Sequence, residues 1–205
     1  MYYVAYDNFL GSREFGALKQ YLQEGFPWRL SGRINGNDEN NEDMYLATSI
    51  YHAYNNGWEN IVDREPFTFI TSKLHIESIF RIKANFYFPS KSGKVEHHAK
   101  HADADFWHQG ALFYVNTCDA PTTMADGTEI EAIENRLLLF DPVSLHSSSS
   151  PTNAPYRMTI DFNYFGGGIL HGHAIEMLSP IPKVSKNPHR LNEIFDISKS
   201  KDINE

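Results

Sequence analysis

The sequence predicts a mainly β fold: a double-stranded β-helix, or jelly-roll, core with supporting N-terminal α-helices. Two segments with helical periodicity come first, and strand-like segments then dominate as far as Phe165. Sheet segments that carry inward polar residues are typical of a jelly-roll with a site at one open end. We therefore predict one domain over 1–205, with helical support over about 1–75, the jelly-roll core over about 76–168 and a C-terminal extension over about 169–205.

The two predicted helices lie within the first 75 residues. Apolar residues recur at helical spacing between Arg13 and Gln23, so we expect an amphipathic helix with Ser12 as its N-cap and Gly25 as its end. A second helix is predicted over about 65–74, with Pro66 in its first turn. Both helices are expected to support the sheet.

Two segments lack a clear period. Residues 31–43 are rich in Gly, Asn, Asp and Glu, which predicts a mobile loop; simple flexibility is favoured over a substrate lid. The polar tail from Lys183 contains one short apolar set that predicts a docking helix, followed by a frayed end over 198–205. That set is Leu191, Ile194 and Phe195.

Strand periodicity is clearest between Arg81 and Phe88, where polar and apolar residues alternate. A period of two predicts a strand with one face in the core. The apolar run from Leu137 to Phe140 predicts a fully buried strand. Another strand is predicted over 158–165, after a turn at 151–155 that contains two prolines.

Three residues in this strand-rich part can bind one metal ion. His101 and Asp103 are two residues apart, so an extended strand would direct both side chains to the same side. His146, at the end of the buried strand, would supply the third ligand. Two imidazoles and one carboxylate on one face of an ion leave positions open for co-substrate and O2, which predicts a non-haem iron site.

Other ligands remain open. Asp105 could replace Asp103, but it is four residues from His101 and would reach the same ion only through a turn. His108 precedes an apolar segment and is better placed to support the site than to bind the metal. His171 and His173 follow three glycines and are expected in a loop. A solvated, histidine-rich loop would make the ligand set incidental.

Arg157 opens the strand that follows His146 by 11 residues. Its planar, permanently charged guanidinium suits bidentate binding of a carboxylate. A basic residue at this place distinguishes a site for a dicarboxylate co-substrate from a bare metal site.

These residues, in this order, resemble the Fe(II)/2-oxoglutarate-dependent oxygenase superfamily, and in particular small prolyl-4-hydroxylase-like members from bacteria and phages. The resemblance rests on residues 101–103, 111–116, 135–141, 146–148 and 157–165, and it extends weakly upstream through 81–87 and 7–10. The tail after about Gly168 has no counterpart in it.

The resemblance implies a mechanism and further site residues. In that family 2-oxoglutarate chelates Fe(II), Arg157 would hold its distal carboxylate, and O2 is consumed as succinate and CO2 form and a C–H bond is hydroxylated; ascorbate is a candidate reductant. Tyr87 and Tyr114 could donate a hydrogen bond to 2-oxoglutarate, and Thr159 shares the face of Arg157. Ordinary barrel packing explains these residues equally well. The same holds for Asn116, Asp161 and Asn163. Asn85 shares the face of Tyr87, so it could help to line the entrance of the site.

The substrate is not chosen by the fold or the ligands. The resemblance makes a prolyl residue in a peptide or protein the first expectation, ahead of a free amino acid or small metabolite and then a nucleobase. Early aromatic residues could form a peptide groove, although core packing is their commoner role: Tyr45, Tyr51, Tyr54 and Trp58. A cupin-like metal-binding module without activity and a purely structural jelly-roll are the alternatives from other classes.

Composition and charge limit the number of domains, the class of partner and the cellular compartment. A hydrophobic share of 41% is enough for one substantial core. The single cysteine, Cys118, excludes an intrachain disulfide and fits a reducing compartment. A net charge of −8 disfavours nucleic acid as a partner. With no leader pattern and no long apolar run, we expect neither secretion nor a membrane span, and a cytoplasmic location in a bacterial cell or phage-infected host.

Overall fold

The computed structural model describes residues 3–31, 44–55, 57–171 and 174–176. The described part is mainly β, with two helices. In chain order its elements are β1 (Tyr3–Tyr6), α1 (Ser12–Glu24), β2 (Arg29–Ser31), β3 (Tyr45–His52), β4 (Gly57–Trp58), α2 (Glu65–Thr71), β5 (Leu74–Tyr87), β6 (Glu96–His97), β7 (Gln109–Tyr114), β8 (Cys118–Thr123), β9 (Glu129–Ala132), β10 (Arg136–Phe140), β11 (Ser149–Ser150), β12 (Arg157–His171) and β13 (Ala174–Glu176).

The large sheet is antiparallel, with strand order β1-β10-β7-β12-β5-β3-β2; β13 pairs with β12 and β4 with β3. The short strands form two pairs, β8 with β9 and β6 with β11. One isolated bridge joins Thr123 of β8 to Ser147, just before β11, and a second joins His101 to His146. Side chains of β8 and β9 pack against the inner face of β7 and β10. Two facing sheets of this kind are a jelly-roll, so the predicted fold class is confirmed.

Alternation along the central strands separates two environments. On β12, Met158, Ile160 and Phe162 join the apolar cluster that includes the helices, while Arg157 and Thr159 face the space between the sheets. Strands β5, β7 and β10 alternate in the same way. The outer face of the large sheet is therefore the main core, and its inner face carries the polar residues of a cavity.

The helix boundaries differ from the sequence-based ones by a few residues. Gly11, rather than Ser12, is the N-cap of α1, because the Glu14 carboxylate accepts the Gly11 N–H at 3.0 Å and satisfies the helix start. Gly25 ends α1 as predicted. Helix α2 ends at Thr71, and Leu74, expected to be its last residue, is buried at the start of β5.

The first 75 residues contribute strands as well as helices, since β1 to β4 all join the large sheet. The expected loop over 31–43 lies, apart from its first residue, outside the described residues, as does the expected docking helix near Leu191. Among the described residues, no helix is long and apolar enough to span a membrane. The proposed division into segments at about 75 and 168 stays a prediction.

Candidate active site

His101, Asp103 and His146 converge at one end of the space between the sheets. One ligand atom from each lies within 4.8 Å of the others. The Asp103 Oδ1 atom is 3.8 Å from His101 Nε2 and 4.0 Å from His146 Nε2. Three donors at such spacing can close on one divalent ion, and the two-histidine, one-carboxylate set is the one that suits non-haem Fe(II).

Both imidazoles are in the form that can bind a metal ion. His146 Nδ1 lies 3.0 Å from the Ser144 carbonyl, so a proton on Nδ1 is donated there and Nε2 keeps its lone pair for a metal. Burial, followed by the charge of His146, lowers the pKa of His101 to about 4. A histidine with that pKa is neutral at neutral pH, which is the form that binds metal.

Residues 101–103, which carry His101 and Asp103, do not form a regular strand, contrary to the extended geometry that the sequence predicted. His101 and His146 instead exchange two backbone hydrogen bonds of 2.9 Å, and the Asp103 N–H donates to the Pro142 carbonyl at 2.9 Å. The backbone bridge itself thus joins the two histidines. Asp103 reaches the same place because the segment is tied to Pro142.

Two side chains hold the Asp103 carboxylate in place. Arg81 donates to Oδ1 at 3.0 Å and Asn163 donates to Oδ2 at 2.9 Å. Arg81 Nε also donates to the side-chain amide oxygen Oδ1 of Asn163 at 2.9 Å, which closes a ring of three hydrogen bonds. Burial raises the pKa of Asp103, but the charges of Arg81 and His146 outweigh burial and leave the pKa below its ordinary value. The carboxylate is ionised and oriented.

Arg157 is only 1% exposed and lies inside the cavity. One terminal nitrogen donates to Thr122 Oγ1 at 2.8 Å, and the guanidinium carbon lies 5.3 Å from the Tyr87 ring centroid and 5.7 Å from that of Tyr114. Its Nε and Nη1 atoms are buried without a hydrogen-bond partner among the described residues. Unpaired buried donors are costly, and a carboxylate would satisfy them in a bidentate contact.

The other predicted co-substrate residues surround Arg157. Tyr87 is the register partner of Arg157 on β5, and burial holds the pKa of its phenol above the ordinary value, so the phenol stays a donor. The Tyr114 phenol donates to Thr122 Oγ1 at 2.7 Å, which directs it to the residue that also binds Arg157. Thr159 is buried, lines the cavity and pairs with Tyr114 across the sheet. Their roles toward 2-oxoglutarate stay predictions.

The cavity that contains these groups has a volume of about 150 Å³ and a predominantly polar lining. Asp161 is a second acid in it, and Asn85 donates to its carboxyl at 2.5 Å. Burial, followed by the nearby charge of Asp103, raises the pKa of Asp161. The cavity therefore holds one carboxylate that is kept ionised, Asp103, and one carboxyl that is biased toward its neutral form, Asp161.

The competing ligands are not brought to the triad. Asp105 is exposed, and His108, although buried, directs Nδ1 to the Phe106 carbonyl and lies outside the cluster of ligand atoms. The His171 side chain and all of His173 lie outside what the structure describes. Asn116 binds backbone groups of residues 156 and 158 and stabilises the end of β7.

The four aromatic residues considered for a peptide groove lie in different environments. Tyr45 lines the cavity and stacks on Tyr87, with ring centroids 5.5 Å apart. Tyr51 and Trp58 pack against each other on the core side, and Tyr54 is exposed. One of the four thus reaches the site.

Three site residues had no functional signal in the sequence. In the sequence, Arg81 and Lys83 are recognisable only as polar residues on one face of a predicted strand. Thr122 lies on β8, in the sheet opposite to that strand. Alternation places Arg81 and Lys83 inward, but their partners depend on how the two sheets meet. A period of two could have identified their face, not their contacts.

Similarity to known proteins is found at the level of three-dimensional structure. No protein-family model and no curated protein matches the chain. A prolyl hydroxylase from Trichoplax adhaerens, in complex with a hypoxia inducible factor peptide fragment, aligns with a TM-score of 0.54 and 18% identity, covering 80% of this chain and 83% of that one. A 2OG-Fe(II) oxygenase family oxidoreductase from Burkholderia pseudomallei aligns with a TM-score of 0.54 and 11% identity, covering 80% and 84%.

A third match is the epimerase SnoN from nogalamycin biosynthesis, in complex with Fe3+, alpha ketoglutarate and nogalamycin RO. It aligns with a TM-score of 0.51 and 10% identity, covering 86% of this chain and 88% of that one. The chain therefore has the fold of the Fe(II)/2-oxoglutarate-dependent oxygenases. Within that fold it places a His-Asp-His triad and a buried arginine in one cavity.

Proposed function

We propose that the protein is an Fe(II)- and 2-oxoglutarate-dependent dioxygenase that hydroxylates an unactivated C–H bond, with release of succinate and CO2. One observation carries the proposal: the triad, whose ligand atoms lie within 4.8 Å of one another, shares a cavity with a fully buried arginine, two of whose nitrogens have no hydrogen-bond partner in the described part of the chain. A metal site alone has no use for that arginine. A site for a chelating dicarboxylate uses both.

The residues divide into three roles. His101, Asp103 and His146 would hold Fe(II), which when bound supplies the activation of O2. Arg157 would hold the distal carboxylate of 2-oxoglutarate, supported by Thr122 and the two tyrosine rings. Arg81 and Asn163 orient Asp103, so they are positioning residues.

The first substrate candidate is a prolyl residue in a peptide or protein. The support is the sequence resemblance to prolyl-4-hydroxylases and the structural similarity to a prolyl hydroxylase that binds a peptide fragment. The second candidate is a free amino acid or other small molecule, which the polar lining favours. SnoN, with the same fold, is found with nogalamycin RO, a small molecule. The proposed compartment is the cytoplasm, since Cys118 is a free buried thiol.

The direct test is succinate formation from 2-oxoglutarate by anaerobically purified protein given Fe(II), ascorbate and O2, first alone and then with a pool of proline-rich peptides. We expect slow turnover of the wild type, and none from His146→Ala. His97→Ala, which removes an exposed histidine outside the triad, is the matched control and should keep full turnover. A peptide that accelerates turnover and gains one oxygen atom would identify the substrate class.

Binding separates the proposal from a metal-binding module without activity. Anaerobic addition of Fe(II) and 2-oxoglutarate should give a weak visible charge-transfer band, absent from Arg157→Ala at limiting co-substrate. Metal binding that is indifferent to 2-oxoglutarate, or full succinate production by His146→Ala, would contradict the proposal.

A further inference from the structure

Lys83 is a third cation in the cavity, besides Arg81 and Arg157, which have assigned partners. It lies on the inner face of β5, and its ammonium donates to the Tyr45 hydroxyl at 3.1 Å. It takes part in none of the ion pairs formed among the described residues. A partly buried ammonium with one neutral partner can still bind an anion.

Besides the histidines, the charged side chains of the cavity are Arg81, Lys83, Asp103, Arg157 and Asp161. Arg81 is bound to Asp103, and Arg157 is assigned to the co-substrate. Asp161 is the register partner of Lys83 across β12 and β5, yet the two form no ion pair, and Asp161 accepts instead from Asn85. The charge of Lys83 acts on Asp161 without an ion pair between them, so among the described residues Lys83 is the cavity cation that has neither an ion pair nor an assigned ligand.

The position of Lys83 indicates which ligand it serves. Inward residues on one strand follow each other at about 7 Å. Lys83 is therefore one such step from Arg81, which binds the metal ligand Asp103, and two steps from Tyr87, which contacts Arg157. That places it nearer to the metal end, where a substrate C–H bond must lie, than to the distal carboxylate of 2-oxoglutarate.

We propose that Lys83 binds a carboxylate of the substrate, so that the substrate is an acid. This inference rests on the proposed function and specifies its substrate. A free amino acid fits the site further, because the buried Asn85 Oδ1 has no hydrogen-bond partner among the described residues and can accept from an ammonium. An acidic side chain in a peptide would supply the carboxylate alone.

The test is binding to Zn(II)-loaded protein, because Zn(II) occupies the same ligands without redox turnover. Saturation-transfer NMR is recorded for the free amino acids and for their carboxamides, with and without saturating 2-oxoglutarate. A pool of peptides with Asp and Glu is compared with the same pool carrying Asn and Gln. The variants are Lys83→Met, Lys83→Arg and, as a matched surface control, Lys94→Met.

We expect at least one acid to bind about tenfold or more tightly than its amide, the effect of one charge-assisted hydrogen bond. That preference should vanish in Lys83→Met and persist in Lys83→Arg and Lys94→Met. Preference among the free amino acids assigns the carboxylate to a small substrate, and preference only among the peptides assigns it to a peptide; both support Lys83 as its ligand.

Three outcomes overturn the inference: acids and amides that bind alike, no binding by any acid tested, or a preference that survives Lys83→Met, whether or not that variant binds 2-oxoglutarate more weakly. If wild-type protein binds no 2-oxoglutarate at all, the proposed function fails by itself. The comparison made without co-substrate then still decides the role of Lys83.

Discussion

The two faces of the large sheet use the same strands for opposite purposes. On the outer face, Phe113, Ile160 and Phe162 are fully or almost fully buried against other apolar side chains. On the inner face, the same strands carry Arg157, whose Nε and Nη1 atoms lack a partner among the described residues, and Asp161, a carboxyl whose pKa burial raises. The outer face lowers the free energy of the fold, whereas the inner face raises it where no ligand is bound.

This difference indicates how the protein can maintain a site whose buried polar groups do not stabilise the fold. Each central strand is anchored by its outward residues, so the inward ones need not stabilise the fold and can be held where a metal and a dicarboxylate require them. Substitutions should therefore separate by face: outward changes should act on stability, and inward changes on binding.

Phe113→Ala should have the largest effect on stability. Phe113 is fully buried on β7 and makes an edge contact with Phe15 of α1, so truncation leaves a cavity beneath the helix. We expect a loss of about 3–5 kcal/mol in the free energy of unfolding, measured by urea denaturation, with co-substrate affinity unchanged in the folded protein. Phe113→Leu, which keeps most of the volume, should lose less than about 1.5 kcal/mol. A variant that stays stable but loses 2-oxoglutarate binding would refute the division by face.

Arg157→Met should act in the opposite way. Loss of a charge-assisted contact should weaken 2-oxoglutarate binding by about 100-fold in calorimetry with Zn(II)-loaded protein. The ligand-free protein should gain about 1 kcal/mol of stability, because two buried nitrogens no longer lack partners. Arg136→Met, which removes an ion pair with Asp7 outside the cavity, should leave the affinity unchanged. A large loss of stability in Arg157→Met would mean that the guanidinium is structural.

The same comparison explains what the sequence could predict. The order and spacing of four residues predicted a common site, and the structure brings these residues into one cavity: His101, Asp103, His146 and Arg157. The outward faces of the strands could be predicted because alternation is a local pattern. The contact of Arg81 with Asp103 joins residues 22 positions apart, and Thr122 meets Arg157 from the opposite sheet. Such contacts depend on how the sheets pack, which no local pattern encodes.

The errors at element ends have a local physical cause. Ser12 has the chemistry of an N-cap, but Glu14 satisfies the Gly11 N–H and moves the cap one residue earlier. Leu74 continues the apolar pattern of α2, yet it is buried as the first residue of β5. In both cases the end of the helix depends on a contact that cannot be read from the helical periodicity of the sequence.

Arg81→Met should have an intermediate effect, confined to the metal. Removing the hydrogen bond to Asp103 Oδ1 leaves the carboxylate held by Asn163 alone, so we expect the affinity for Zn(II) or Fe(II) to fall by about 10–100-fold. Competition with a chromophoric chelator measures it. Arg13→Met, at an exposed position on α1, is the control and should bind metal like the wild type. Unchanged affinity in Arg81→Met would show that Asn163 suffices to orient Asp103.

Tyr114→Phe should have the smallest effect, and it tests how sharply the inner face divides into direct and indirect contacts. Its phenol donates to Thr122, so it supports the residue that binds Arg157 and is not itself directed at a ligand. We expect a loss of about 1 kcal/mol of stability and less than about a fivefold weakening of 2-oxoglutarate binding. Tyr87→Phe gives the comparison on the other side of Arg157. Loss of the hydrogen bond to Thr122 should lower stability and can reach the co-substrate only indirectly, through Arg157. A tenfold weakening of 2-oxoglutarate binding in Tyr114→Phe with stability unchanged would therefore assign the phenol to the co-substrate.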